Sequence, residues 1–265
     1  MIKKIFFLAI FVLVVAKMFG QNNILKVEKR KGLFYAAWGY NKDYFSKSDL
    51  HFFNNGSDNY DFTLYNIVAN DRPGYSQILS TTFSIPQYVY RFGYYFNDKR
   101  NLGIEINFDH AKYVMNNNQT AHLKGTIHEK HYDLDTLIST DFLKFEHTNG
   151  ANFLMINLLK KYKLLESANK NHVLNAVVKV GGGIVIPKTD VTLFGERLDN
   201  VFHIAGYIAG VDAGFRYEYK HFFSEASLKG TYANYYNVLT VGTGKASHTF
   251  FTGEIIWSFG FQMPL

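Results

Sequence analysis

The residues best suited to chemistry cluster in a few short stretches. His128-Glu129-Lys130-His131-Tyr132-Asp133-Leu134-Asp135 gathers imidazoles and carboxylates closely enough to suggest a metal site. On a strand, however, His128 and His131 point to opposite faces, and Asp133 and Asp135 lack the glycine and spacing of a calcium loop. The stretch reads as a solvated loop, and no metal is expected. Ser247-His248 offers a hydroxyl beside an imidazole, but adjacent strand residues face opposite ways and do not pair as nucleophile and base. Gly181-Gly182-Gly183 lies inside an alternating segment, where glycine marks a bend or close packing rather than a phosphate loop. The better constellation is Asp109-His110-Ala111-Lys112 together with Phe145-Glu146-His147 and Asn149-Gly150-Ala151-Asn152. Strand parity puts His110 and Lys112 on the face of Ile104, Ile106 and Phe108, with Asp109 on the other.

The elements that must position these groups are long alternating segments. Phe251, Gly253, Ile255, Trp257, Phe259 and Phe261 alternate with Thr252, Glu254, Ile256, Ser258, Gly260 and Gln262. The run Ile204 to Glu218 repeats the pattern. Eight such segments are read, roughly 32–44, 86–97, 101–115, 150–163, 172–187, 203–220, 223–237 and 248–263. Globular strands run about five or six residues, whereas these are membrane-spanning length. Connections alternate too. Asn97–Arg100, Leu165–Asn171 and Lys220–Phe222 are short, while 45–85, 116–149 and 188–202 are long and 238–247 is moderate. The expected fold is therefore all-β, an eight-stranded antiparallel up-and-down transmembrane barrel. Asn54-Asn55-Gly56-Ser57 signals a hairpin between Asp49 and Ala69, which could join the barrel and make ten strands. Lys124–His131 and Asp141–His147 are also strand-like.

The opening of the chain agrees. Lys3 and Lys4 precede an apolar run, Ile5 to Ala16, too short to span a bilayer, with Gly20-Gln21 as a cleavage point. Residues 1–20 read as a cleaved signal peptide and 21–265 as one barrel domain. Lys3, Lys4 and Lys17 carry three of the +6 formal charges, and residues 1–20 contain no acid, so the mature chain is near +3. That is no nucleic-acid footprint. The absence of cysteine excludes disulfides, iron–sulfur clusters and thiol nucleophiles. With aromatics at 17% and only 4 prolines, the composition suits strands and aromatic girdles. These features place the chain in a Gram-negative outer membrane, long loops facing the cell exterior.

An eight-stranded interior is just wide enough for side chains to fill it. Parity assigns Arg91, Glu105, Lys179, Asp212, Arg216, Glu218, Lys229 and Glu254 to the lumen. They read as a charge network that plugs the barrel, with Gly181, Gly183, Gly206, Gly210 and Gly214 making room. His110 and Lys112 fall on the lipid face at the outer rim, where cations meet lipopolysaccharide phosphates.

The architecture resembles OmpW- and OmpA-like small outer-membrane barrels. The two rim segments, Asp109-His110-Ala111-Lys112 and Phe145-Glu146-His147-Thr148-Asn149-Gly150-Ala151-Asn152-Phe153-Leu154, are similar to lipid A oxidase-like barrels. That family shows a Thr-His-x-Lys element and a later Phe-Thr-Asp/His-Gly-x-Asn element. By this resemblance His110, Lys112, Asn149, Gly150 and Asn152 correspond, while Asp109 stands where the family has a hydroxyl residue. Such an oxidation would need oxygen and a metal, drawing on His110, Glu146 and His147. The His-x-Ser-Asn signature of barrel lipid A deacylases is absent, as is any nicotinamide or flavin fingerprint, and no cofactor is expected. The first functional expectation is a non-enzymatic structural or accessory subunit of a larger outer-membrane complex. The alternative is lipid A modification at the outer leaflet, and the third is a narrow conduit for small hydrophobic solutes.

Overall fold

The computed structural model describes residues 32–56, 58–72, 74, 87–96 and 101–264. The signal peptide read at 1–20 and the turn Asn97–Arg100 lie outside them. The strands are β1 (Leu33–Phe45), β2 (Ser48–Asn54), β3 (Tyr60–Ile67), β4 (Ala69–Asp71), β5 (Tyr88–Tyr95) and β6 (Leu102–His110). They continue as β7 (Tyr113–Met115), β8 (Gln119–Ile127), β9 (Lys130–Ile138), β10 (Leu143–His147), β11 (Phe153–Glu166) and β12 (His172–Val185). The last are β13 (Asp190–Leu193), β14 (Glu196–Asp199), β15 (Gly206–Tyr219), β16 (Phe222–Leu239) and β17 (Lys245–Pro264).

Eight of these close into a barrel in the order β1-β5-β6-β11-β12-β15-β16-β17, with β17 returning to β1. Every barrel pairing is antiparallel, and the β1–β17 seam runs from Leu33↔Pro264 to Phe45↔Thr252. Trp38, Phe92, Ile106, Ile156, Phe215, Leu228, Ile255 and Trp257 stand exposed on the outer wall, while polar residues of opposite parity are buried. A globular strand would bury the apolar row. This inversion, with no unpaired barrel edge, is what hydrocarbon demands, so the barrel spans a membrane. Glycine lets strands approach where a side chain would clash: a Cβ on Gly183 would sit 1.9 Å from the Leu154 carbonyl oxygen.

Above the long-loop end the polarity reverts. At Lys245–Ser247, β17 has left β1 and pairs instead with β2, and the sheet continues through β3, β8 and β9. A second sheet runs β14-β13-β10-β7-β4. The two enclose an apolar core that includes Phe52, Phe62, Leu64, Leu123, Leu143 and Phe145, continuous with Phe153, Tyr235 and Phe250 at the barrel mouth. The hairpin at 49–69 thus joins the sheet through the top of β17 and leaves the barrel at eight strands. The segment read as 101–115 is also two elements. β6 ends at His110, the Ala151 amide donates to the Ala111 carbonyl (2.8 Å), and β7 crosses to the second sheet.

Candidate functional site

The barrel interior is built by inward parity on seven of its strands. Lys179 on β12 places its Nζ 2.7 Å from Glu225, 3.0 Å from Glu105 and 3.8 Å from Asp212. Arg91 on β5 reaches Glu105 and Asp109, each at 3.5 Å, and Asp212 at 3.8 Å. Arg216 donates from Nε to Glu225 (2.6 Å), and its guanidinium lies over the Phe223 and Tyr35 rings at 4.2 and 4.3 Å. Lys229 bonds Asp109 and lies 3.5 Å from Glu254. The Tyr35 hydroxyl donates to Glu105 (2.6 Å). All the lumen residues read from sequence are buried inside, and all but Glu218 join this network. Glu218 pairs separately with Lys161 at 2.7 Å. Each charge here is desolvated, so its opposite neighbours are what make its burial tolerable.

The mouth above is closed by rings. His147, on β10, lies with Nε2 3.3 Å from Nε2 of His248 on β17, so one ring carries the shared hydrogen. Thr189 bonds His147 Nδ1 at 3.0 Å. Tyr235 stacks on His147 (5.2 Å, 12°), and Tyr113 and Phe145 meet His248 edge-on at 5.1 and 5.5 Å. Tyr235 donates its hydroxyl hydrogen to the Ala151 carbonyl (2.6 Å). Burial, and secondarily the neighbouring His248, hold the His147 imidazole well below its usual range. The ring pair is therefore neutral and acts as packing.

At the rim, His110 and Lys112 have different surroundings. His110 was expected to face lipid; instead it is buried. Tyr88, its cross-strand neighbour on β5, stacks on it (4.8 Å, 8°), and Asn152 Oδ1 lies 2.8 Å from its Nδ1. Asn152 donates its Nδ2 hydrogen to the Ile186 carbonyl (3.0 Å). Lys112 falls in the break between β6 and β7, half-buried, its ammonium lowered by burial and then by nearby Arg72. Two cations thus share this rim. Arg72 also lies 3.2 Å from Glu146, which Lys144 holds at 2.7 Å.

His110, Glu146 and His147 do not converge. Glu146 and His147 are consecutive on β10 and face opposite sides, and His110 has partners of its own. Among the described residues, no group of three or more His, Cys, Asp or Glu is placed to hold a metal ion. His128 and Glu129 form the two-residue tip of the β8–β9 hairpin, both with positive φ (48° and 67°). His128 bonds Asp58, while Asp133 and Asp135 lie 3.0 and 2.9 Å from His122 on β8.

Sequence reasoning missed Glu225, the acid that Lys179 and Arg216 share, although it has the parity of Lys229 on the same strand. It also missed Asp43, which faces Glu254 across β1–β17 and accepts from Asn41 and Gln87. His248 does not pair with its neighbour Ser247; its partner, His147, comes from the second long loop.

No protein-family model and no curated protein matches the chain. Among solved structures it is similar to Neisserial surface protein A (11% identity, 86% of this chain and 96% of that one, TM-score 0.34). It is also similar to the outer membrane protein OprG from Pseudomonas aeruginosa (13%, 90% and 98%, 0.39) and the outer membrane protease OmpT from Escherichia coli (11%, 91% and 99%, 0.33). At these scores the fold rests on the closure of the strands themselves. On that closure and its apolar outer belt, the chain has the architecture of a small outer-membrane β-barrel.

Proposed function

We propose that the protein is a non-enzymatic accessory barrel of the outer membrane, anchoring a β-sheet head that faces the cell exterior. The observation that carries this reading is the continuity of the wall into the head. β16 and β17 run from the barrel into the sheet that holds β2, β3, β8 and β9, so the head is held by backbone hydrogen bonds. The filled lumen and ring-packed mouth support an anchor rather than a solute conduit. Among the described residues β9 ends the larger sheet and pairs only with β8, and it exposes Leu134 and Leu137, the latter by 60%. An open edge with apolar side chains is a surface for another protein. Photo-crosslinking in cells from position 137 tests this: a discrete adduct with one outer-membrane partner is expected, and no adduct at native abundance would count against it.

A second reading, lipid A modification at the rim, is favoured by one contact. The His110–Asn152 hydrogen bond joins the two segments that resemble oxidase-like barrels, beside Lys112 and Arg72. A mass spectrum of lipid A from cells with and without the gene separates the readings. A mass difference lost in His110→Ala would establish lipid chemistry, and identical spectra would remove it.

A further inference from the structure

We propose that a groove on the outer wall of the head binds a core sugar of the lipopolysaccharide surrounding the barrel. The groove has a volume of about 520 Å³ and is lined by Phe53, Asn55, Tyr236, Asn237, Thr243 and Lys245 among others. A β-bulge creates it. The β16–β17 register shifts between Tyr235 and Val238, and the amides of Tyr236 and Asn237 both donate to the Ala205 carbonyl (2.9 and 3.1 Å). The extra residue leaves Tyr235 packed inward and turns Tyr236 out, 58% exposed. Across the groove stands the β2–β3 turn, fixed by Asn54, whose Oδ1 accepts from the Gly56 amide (2.9 Å) and the Thr243 hydroxyl (3.0 Å). Phe53 is braced from behind by the His51 ring (5.6 Å, 23°), itself bonded to Asp61 at 2.8 Å.

The lining chemistry selects the ligand class. Two separated aromatic faces and a set of amide, hydroxyl and ammonium groups suit a ring that is apolar on one face and rich in hydroxyls at its edge, which describes a hexose. Lys245 donates to Asn237 Oδ1 (2.6 Å), so Asn237 retains its Nδ2 hydrogens and Lys245 its remaining ones for acceptors on the ligand. Height selects the source. Lys245 lies six residues along β17 from the lipid-facing Phe251. That is roughly 20 Å of strand and roughly 15 Å of height at a tilt near 40°. The headgroup layer adds only about 5–7 Å beyond the hydrocarbon. The groove therefore stands level with sugars carried beyond the lipid A phosphates. This inference rests on the outward orientation of the head proposed above.

The test uses the protein in phospholipid nanodiscs, titrated with lipopolysaccharide from its own cells freed of acyl chains. Saturable binding is expected, weakened at least tenfold in Tyr236→Ala and recovered in Tyr236→Trp, while the phosphorylated lipid A disaccharide alone fails to compete. No saturable binding, unchanged binding by Tyr236→Ala, or full competition by the disaccharide would overturn the proposal. Retained heat-modifiable gel mobility shows that each variant is folded. Because the chain has no cysteine, Glu196→Cys, at an exposed head position outside the groove, gives a clean label for orientation on intact cells. Labelling by a membrane-impermeant thiol reagent without sugar binding would sink the groove alone, and absence of labelling would sink the orientation.

Discussion

The barrel lumen and the head core share strands, yet they are filled by opposite chemistry. Along the inward row of β17, Glu254 and Thr252 face the lumen, while Phe250, His248 and Ala246 face the head core. On β16 the same row passes from Lys229 and Thr231 to Ala233 and Tyr235. The two switches fall at one level, because Thr231 pairs with Thr252, Ala233 with Phe250 and Tyr235 with His248. Below that level the outer wall contacts hydrocarbon and takes the apolar residues; above it the outer wall meets water, and the apolar residues turn inward. One alternating strand thus serves two solvents, and the position of the switch marks the membrane surface within a residue or two.

The largest effect should come from unbalancing the lumen. Arg216→Leu leaves Glu225 with one cation fewer in a closed interior, a loss of about 3–5 kcal/mol, and the barrel should no longer give the compact, heat-modifiable band. Adding Glu225→Gln should restore folding, since the uncompensated buried charge is then removed while Lys179 keeps an acceptor there and its pairs with Glu105 and Asp212. A comparable truncation in the head should have a local effect. Leu64→Ala, at a fully buried core position, should cost about 2–5 kcal/mol and make the head protease-sensitive while the barrel band persists. If Leu64→Ala also abolished the barrel band, the two regions would fold as one unit and the comparison would fail.

A smaller effect follows from His147, whose folded pKa is depressed. Below the ordinary histidine pKa of about 6.5 the unfolded head binds a proton that the folded head excludes, so head stability is full above that pH and falls as pH drops through it. The slope is at most about 1.4 kcal/mol per pH unit for this group. Protease half-lives of the head at pH 7.5 and 5.5 should differ, and His147→Gln should shrink the difference but not abolish it, because burial also pushes the neighbouring His248 down to about 3. The smallest effect lies at the hairpin tip. Glu129 sits at φ 67°, a conformation that glycine adopts freely, so Glu129→Gly should stabilise the head by about 1 kcal/mol or less, measured as the midpoint of head unfolding in urea.

Much of the barrel was legible because its signal is local. Period-two alternation over many consecutive residues fixes both strand and face, and it put Arg91, Lys179 and Glu254 inside without knowledge of any partner. The head was legible only in outline. Asn54-Asn55-Gly56 announced a hairpin, but nothing near it says that β2 pairs with the last strand of the chain, because that contact spans the whole sequence. The rim was legible only in part for the same reason. Parity gave the face of His110 correctly and missed that Tyr88 and Asn152 would cover it, and the His147–His248 pair joins residues a hundred positions apart. The groove beside Tyr236 depends on a bulge, and one extra residue in a strand leaves little trace in an alternation that resumes past it.

The most direct test of the central claim is ion conductance of the purified, folded protein in a planar lipid bilayer. A barrel plugged by the Arg91–Glu105–Lys179–Glu225 network and closed by the rings around His147 should leave the bilayer at its bare conductance. Steady unit channels from the wild-type protein would contradict the account, because an open path through the lumen requires that the network be absent or displaced.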